Sequence, residues 1–347
     1  MKDPKVRNQI LTSFFKFATA LVVALAIPAA THATLVSMTA NDPNPGSSYN
    51  NAGNWNDASA PSAGKDYTTV GYLMRSPVVG GVYQSGLWTF AGDSLTVGGG
   101  NGGGANPFDH RTANNNALIF KANGLTLNVA NLILDGGQIR DGDTDGNMGT
   151  VTGNIFVTAN GGAFMNQQSN IIASVISGSG PIWIGDNGNA NGTRVTIFTS
   201  GLSTYNGSIT LTNANNDGFR SRLTFAVGSV MNFTPLASGV NNSITGTGNL
   251  MLDGGFNIDL NGASNGLSDS WQLVGTSNGV FRVFYDPTFS VNGFAQSGTL
   301  WDKDANGVTY QFDQLTGLLS VIPEPSTIAL VGFSLLGLLA HRRSRKA

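Results

Sequence analysis

The chain has 347 residues, with 18 Lys and Arg against 20 Asp and Glu, 47 glycines and no cysteine. The lack of cysteine excludes disulfides and thiolate metal sites, and a charged fraction of 11% with few strong helix formers makes an all-β chain with many turns the default. Across residues 34–323 ten basic residues face eighteen Asp, a net charge of −8 that argues against nucleic acid as a partner.

At the N-terminus, Lys2, Lys5, Arg7 and Lys16 precede an apolar stretch at 17–27, and Thr31-His32-Ala33 offers small residues at cleavage spacing. Residues 1–33 therefore read as a secretory signal peptide, outside the fold. Residues 34–115 form an N-terminal β or capping region: a turn-rich opening, then strand-like runs at 67–73, 78–83, 87–90 and 94–97, each closed by Gly, Pro or Asp. Trp55 and Trp88 read as plugs over the end of a β core, with sugar-stacking platforms as the alternative. The glycines at 98–104 lack a following helix and a Lys-Ser/Thr pair, so they form a loop and not a phosphate cradle.

From 116 to 266 short β runs recur between Gly, Asn and Asp. One segment nearly repeats itself, NLILDGGQIRD at 131–141 and NLMLDGGFNID at 249–259. Period-2 alternation such as Leu125, Leu127, Val129 turns alternate side chains inward, and Asp-Gly-Gly corners permit positive φ. Stacked coils of this kind predict an elongated parallel β-solenoid, a β-helix-like fold in which each rung buries its apolar face against its neighbours. A β-sandwich of hairpins is the competing arrangement.

The segment SGLSTYNGSITLTNANN at 200–216 resembles the autotransporter-associated β-strand repeat, whose core is Asn-Thr-Tyr-x-Gly before a Thr-rich strand. Here Ser203-Thr204-Tyr205-Asn206-Gly207 lacks the first Asn. Ala91–Gly100, ANLILDGG and TANGGAF also resemble secreted proteins that carry such repeats. The resemblance implies a solenoid and names no ligand. No translocator barrel follows Leu319, so an autotransporter itself is not expected.

His110 is the only histidine in 34–323 and lies in a polar loop without a nucleophile elbow, which argues against a Ser-His-Asp site and a His-rich zinc site. Asp135, Asp141, Asp143, Asp253 and Arg140 are the residues that a carbohydrate-active enzyme would use. Calcium is the candidate cofactor: Asp141, Asp143 and Asp145 place carboxylates at alternate positions with Gly146 sixth, although Thr152 stands twelfth. Asp302, Asp304, Asn306 and Gly307 repeat the spacing, with Asp313 twelfth, and plain turns are the alternative for both.

Residues 267–321 are richer in aromatics and predict a capping meander with strands at 271–274, 280–284, 308–312 and 318–321. The tail at 322–347 combines Pro323-Glu324-Pro325, an uncharged run at 327–340 and a basic end with Arg342 and Arg343. At about 1.5 Å per residue the run spans roughly 21 Å as a helix, short of a bilayer core, which suits a provisional single transmembrane helix with its C-terminus in the cytoplasm. This order of Pro323, Glu324, Pro325, apolar helix and Arg342-Arg343 resembles the PEP-CTERM sorting signal of Gram-negative bacteria, found also on some ice-binding proteins. The resemblance implies recognition by an exosortase, transient residence in the inner membrane and export to the envelope or extracellular matrix. The expectation is a non-catalytic structural or adhesive surface protein associated with exopolysaccharide. A carbohydrate-active enzyme and an ice-binding protein are the alternatives.

Overall fold

In the computed structural model the chain divides into two units, Met1–Thr34 and Leu35–Ala347. The described residues are 33–98, 116–141, 148–166, 169–186, 194–201, 204–212, 221–278 and 280–323. The expected signal peptide and transmembrane helix lie outside them, and among the described residues no helix is long and apolar enough to cross a membrane. The described residues of the second unit are all-β and mostly parallel, an arrangement consistent with a β-solenoid.

The reason lies in the alternation of side chains. In Leu125–Asp135, Leu125, Leu127, Val129, Leu132 and Leu134 are buried while Thr126, Asn128 and Asn131 point away. The chain then turns at Asp135-Gly136-Gly137 into Gly137–Asp141, and the next pass, Met148–Val157 followed by Gly162–Asn166, lies in parallel register on the first. Gly136 has φ +79°, and a Cβ on Gly137 would sit 2.4 Å from the Val97 carbonyl oxygen, so the corner needs both glycines. The second copy of the repeat also bends at Asp253-Gly254, from Gly248–Leu252 into Gly255–Ile258, but Gly254 has no positive φ and Leu252 stands in the column of Leu127, so the same letters make a different corner.

Repetition of this path builds a 13-stranded sheet whose neighbours run parallel from Lys65–Thr68 to Phe281–Tyr285, and a seven-stranded parallel sheet from Met74–Arg75 to Ile244–Gly246. Parallel pairing thus extends beyond 116–266 at both ends. Phe281–Tyr285, expected in the closing meander, instead adds in parallel to Gly248–Leu252, because Phe281 supplies one more buried side chain for the stack. The antiparallel cap is made by Ser270–Gln272, Ala295–Ser297, Leu300–Ala305, Val308–Asp313 and Leu318–Ile322.

Aromatic rings close both ends. Trp55 is buried and meets Tyr67 edge-on at 4.8 Å, and Tyr67 meets Phe90 at 5.3 Å. Trp55 is thus the plug, whereas Trp88 is partly buried and donates its indole N–H to the Ser85 carbonyl. At the other end Phe256 packs on Phe233, Phe289 and Phe312 at 4.9, 4.8 and 5.7 Å.

The inward register has a direct test. Leu134→Asp places an unpaired carboxylate in the core and is expected to cost about 3 to 5 kcal/mol. Asn131→Asp, exposed and giving up one hydrogen bond to the Asp93 carbonyl, is expected to cost about 1 kcal/mol. Urea unfolding of the two variants should show that gap, and equal small losses would overturn the register.

Candidate functional site

Tyr205 shows how the Thr204–Gly207 segment works, Ser203 lying outside the described residues. Its ring is buried, and its hydroxyl reaches the carbonyls of Gly180 at 2.8 Å and Ser208 at 2.9 Å. Burial raises its pKa far above the usual phenol range, so it stays a donor. A Cβ on Gly207 would lie 2.3 Å from the Gly180 carbonyl oxygen and 2.4 Å from the Tyr205 hydroxyl, which explains Tyr-x-Gly as a corner lock.

Beside this corner runs an open groove of about 660 Å³. Successive coils contribute Thr204 and Asn206, then Asn232 and Thr234, then Asn257, Asp259 and Asn261, and the Leu300–Ala305/Val308–Asp313 hairpin forms a wall with Lys303 and Asn306. Asn232 and Asn257 are directly paired in register, and the Asn257 amide donates to Asn232 Oδ1 at 3.0 Å. The Asn306 amide donates to the Leu260 carbonyl at 2.9 Å and the Tyr310 hydroxyl to the Ser264 carbonyl at 3.0 Å, which fixes the hairpin against the coils. Phe233, Ile258 and Leu260 line its floor but are buried, so the groove presents chiefly amides, hydroxyls and one charge of each sign. Sequence reasoning missed this site; the only signal was the frequency of Asn.

The nominated carboxylates are scattered. Asp135 Oδ1 accepts from the Thr158 hydroxyl at 2.6 Å and the Asn160 amide at 2.8 Å. Four strands of the long sheet separate its corner from that of Asp253, about 24 Å at the usual strand spacing, far beyond a glycosidase pair. Asp141 ends its strand at 1% exposure, and Arg140 precedes it. Asp143 and Asp145 lie outside the described residues, as do Asp186's side chain and His110. Asp302 and Asp304 belong to a hairpin: they accept from Gln311 and Thr309 across the strands at 2.9 and 2.6 Å, and Asn306-Gly307 turns with φ of 54° and 77°. The second calcium spacing is therefore a turn, because an alternating strand followed by a tight turn produces the same letters.

Asp253 and Asp286 follow paired positions on adjacent coils, one residue past Leu252 and Tyr285. Burial, and then the Asp286 charge, raise the Asp253 pKa, while the Thr288 backbone N–H and hydroxyl hold that of Asp286 low.

Pro323 directly follows Leu318–Ile322, the last strand among the described residues. Glu324, Pro325, Arg342 and Arg343 lie outside the described residues. Residues 321–344 match the PEP-CTERM protein-sorting motif. The motif marks an exosortase-sorted protein exported to the cell envelope or beyond it. No curated protein matches the chain.

A folded-state pKa raised by burial means that Asp253 contributes fully below the ordinary carboxylate value of 3.8 and becomes unfavourable as pH rises through its folded pKa. Asp253→Asn is expected to raise Tm at pH 7, with the gain vanishing below about pH 3.8, when thermal melts are compared across pH.

Proposed function

We propose that this exported chain is a non-catalytic structural or adhesive protein of the envelope or exopolysaccharide matrix. The groove carries the reading: amides and hydroxyls on three successive coils offer paired donors and acceptors, the chemistry that sugar hydroxyls need. The sorting motif supplies the delivery, with an exosortase as processing partner and the inner membrane as a transient stop. Calcium at Asp141, Asp143 and Asp145 belongs to the same proposal as a stabilising ion, and supports it if millimolar Ca²⁺ raises Tm by mass action.

A carbohydrate-active enzyme is a second reading, favoured by the diverging pKa values of Asp253 and Asp286 on neighbouring coils. A zymogram on matrix polysaccharide that shows cleavage lost in Asp253→Asn would support it. An ice-binding face draws less support. Thr126 pairs with Thr150 and Asn128 with Thr152, but the rank then gives way to Ile171 and Ile197.

Delivery is tested in a native host that has an exosortase. Wild-type protein is expected outside the cell and shortened by about two dozen residues, whereas alanines at Pro323, Glu324 and Pro325 leave the apolar run intact and should accumulate the full-length chain in the membrane. Mass spectrometry that finds exported wild-type protein intact to Ala347 would overturn the sorting role.

A further inference from the structure

We infer that the groove seats an extended, uncharged polysaccharide running along the stack with one sugar per coil. This rests on the matrix reading above and adds the ligand class, direction and repeat. Coils stack at about 4.8 Å, close to the length of one pyranose residue along an extended chain. The lining follows the coils: Asn232 and Asn257 stand in register on neighbouring coils, and the preceding coil contributes Asn206. A periodic polymer therefore meets an amide side chain from each coil that it crosses.

The polar groups are also available. Among the described residues, the side chains of Asn206, Asn261 and Thr234 have no protein partner, and Asn257 keeps its Oδ1 free while its amide nitrogen holds Asn232. Asn257 is thereby fixed with an acceptor toward the groove, and the exposed Asn206 and Asn261 supply both donors and acceptors. Asn306, tied to Leu260 and Tyr310, holds the wall rigid without competing for ligand.

The charge of the ligand follows from the charge of the site. Lys303 lies 5.4 Å from the centre of the Phe294 ring, and Asp259 lines the same groove, so the lining is neutral. Eighteen Asp against ten basic residues in 34–323 set an acidic background that repels polyanions. A peptide would need open apolar pockets, whereas the apolar liners Phe233, Ile258 and Leu260 are buried. A neutral glycan satisfies all three conditions.

The test uses the exported chain and titration calorimetry with neutral glucan and mannan oligosaccharides of increasing length, with oligogalacturonate as the acidic comparator. Affinity is expected to rise with length and level off at about three to four sugars, one per coil and one at the hairpin wall. It should change less than about twofold between low and physiological salt, since no charge is neutralised. Asn206→Ala and Asn261→Ala, both at exposed positions, should each weaken binding about five- to tenfold with an unchanged melting curve. Preference for oligogalacturonate with steep salt dependence would overturn the neutral ligand. Unchanged neutral binding in both variants would place the glycan elsewhere and leave the matrix role standing. A wild-type chain that neither binds these glycans nor co-sediments with native matrix would overturn both.

Discussion

The parallel hydrogen-bond ladder is the constraint on which everything else depends. With no cysteine, nothing covalent holds one coil to the next, and each coil is too thin to enclose its own apolar side chains. Leu127, Val151, Ile172, Phe198, Phe225 and Leu252 are dry because a neighbouring coil of the same shape stacks on them in register. Like residues stack where the register allows, as Phe198 on Phe225 with ring centres 5.5 Å apart, and Phe164 of the seven-stranded sheet meets Phe198 edge-on at 5.7 Å.

A stack has two ends, and the ends decide where the rest of the chain goes. At the start, Trp55, Tyr67, Phe90 and Tyr49 close the core, while the buried Asp42 carboxylate gathers donors from Ser48, Asn54 and the Arg75 backbone. At the finish, an antiparallel sheet takes over, and Phe289 and Trp301 meet edge-on at 5.8 Å. Because that sheet leans a hairpin against the coils, a groove forms between two kinds of β structure. The groove is a consequence of capping, and its polarity comes from the outward positions that stacking leaves unburied.

Asp serves several structural ends in a chain with a single Glu. At Asp135 it tethers the next corner through Thr158 and Asn160; at Asp302 and Asp304 it makes cross-strand hydrogen bonds; at Asp253 it is held near Asp286 against its preference for the ionised form. Spacing in sequence therefore says little about shared chemistry here. Letters two apart share a strand face, but residues that meet across coils are separated by some two dozen positions, as Asn232 and Asn257 are.

The sequence by itself determined the β class, the inward set of Leu125, Leu127, Val129 and Leu134, the corner at Asp135-Gly136-Gly137 and the sorting tail at Pro323-Glu324-Pro325. These are local: alternation with period two, a positive φ and a contiguous motif can be read from neighbouring letters. Tertiary structure alone decided that Phe281–Tyr285 joins the parallel stack, that Asp135 and Asp253 stand far apart, and that Asn206, Asn232, Asn257 and Lys303 line one groove. Coil lengths vary through the chain, so the register that brings residues together is set by how each coil packs on the last, and no fixed period in the letters encodes it.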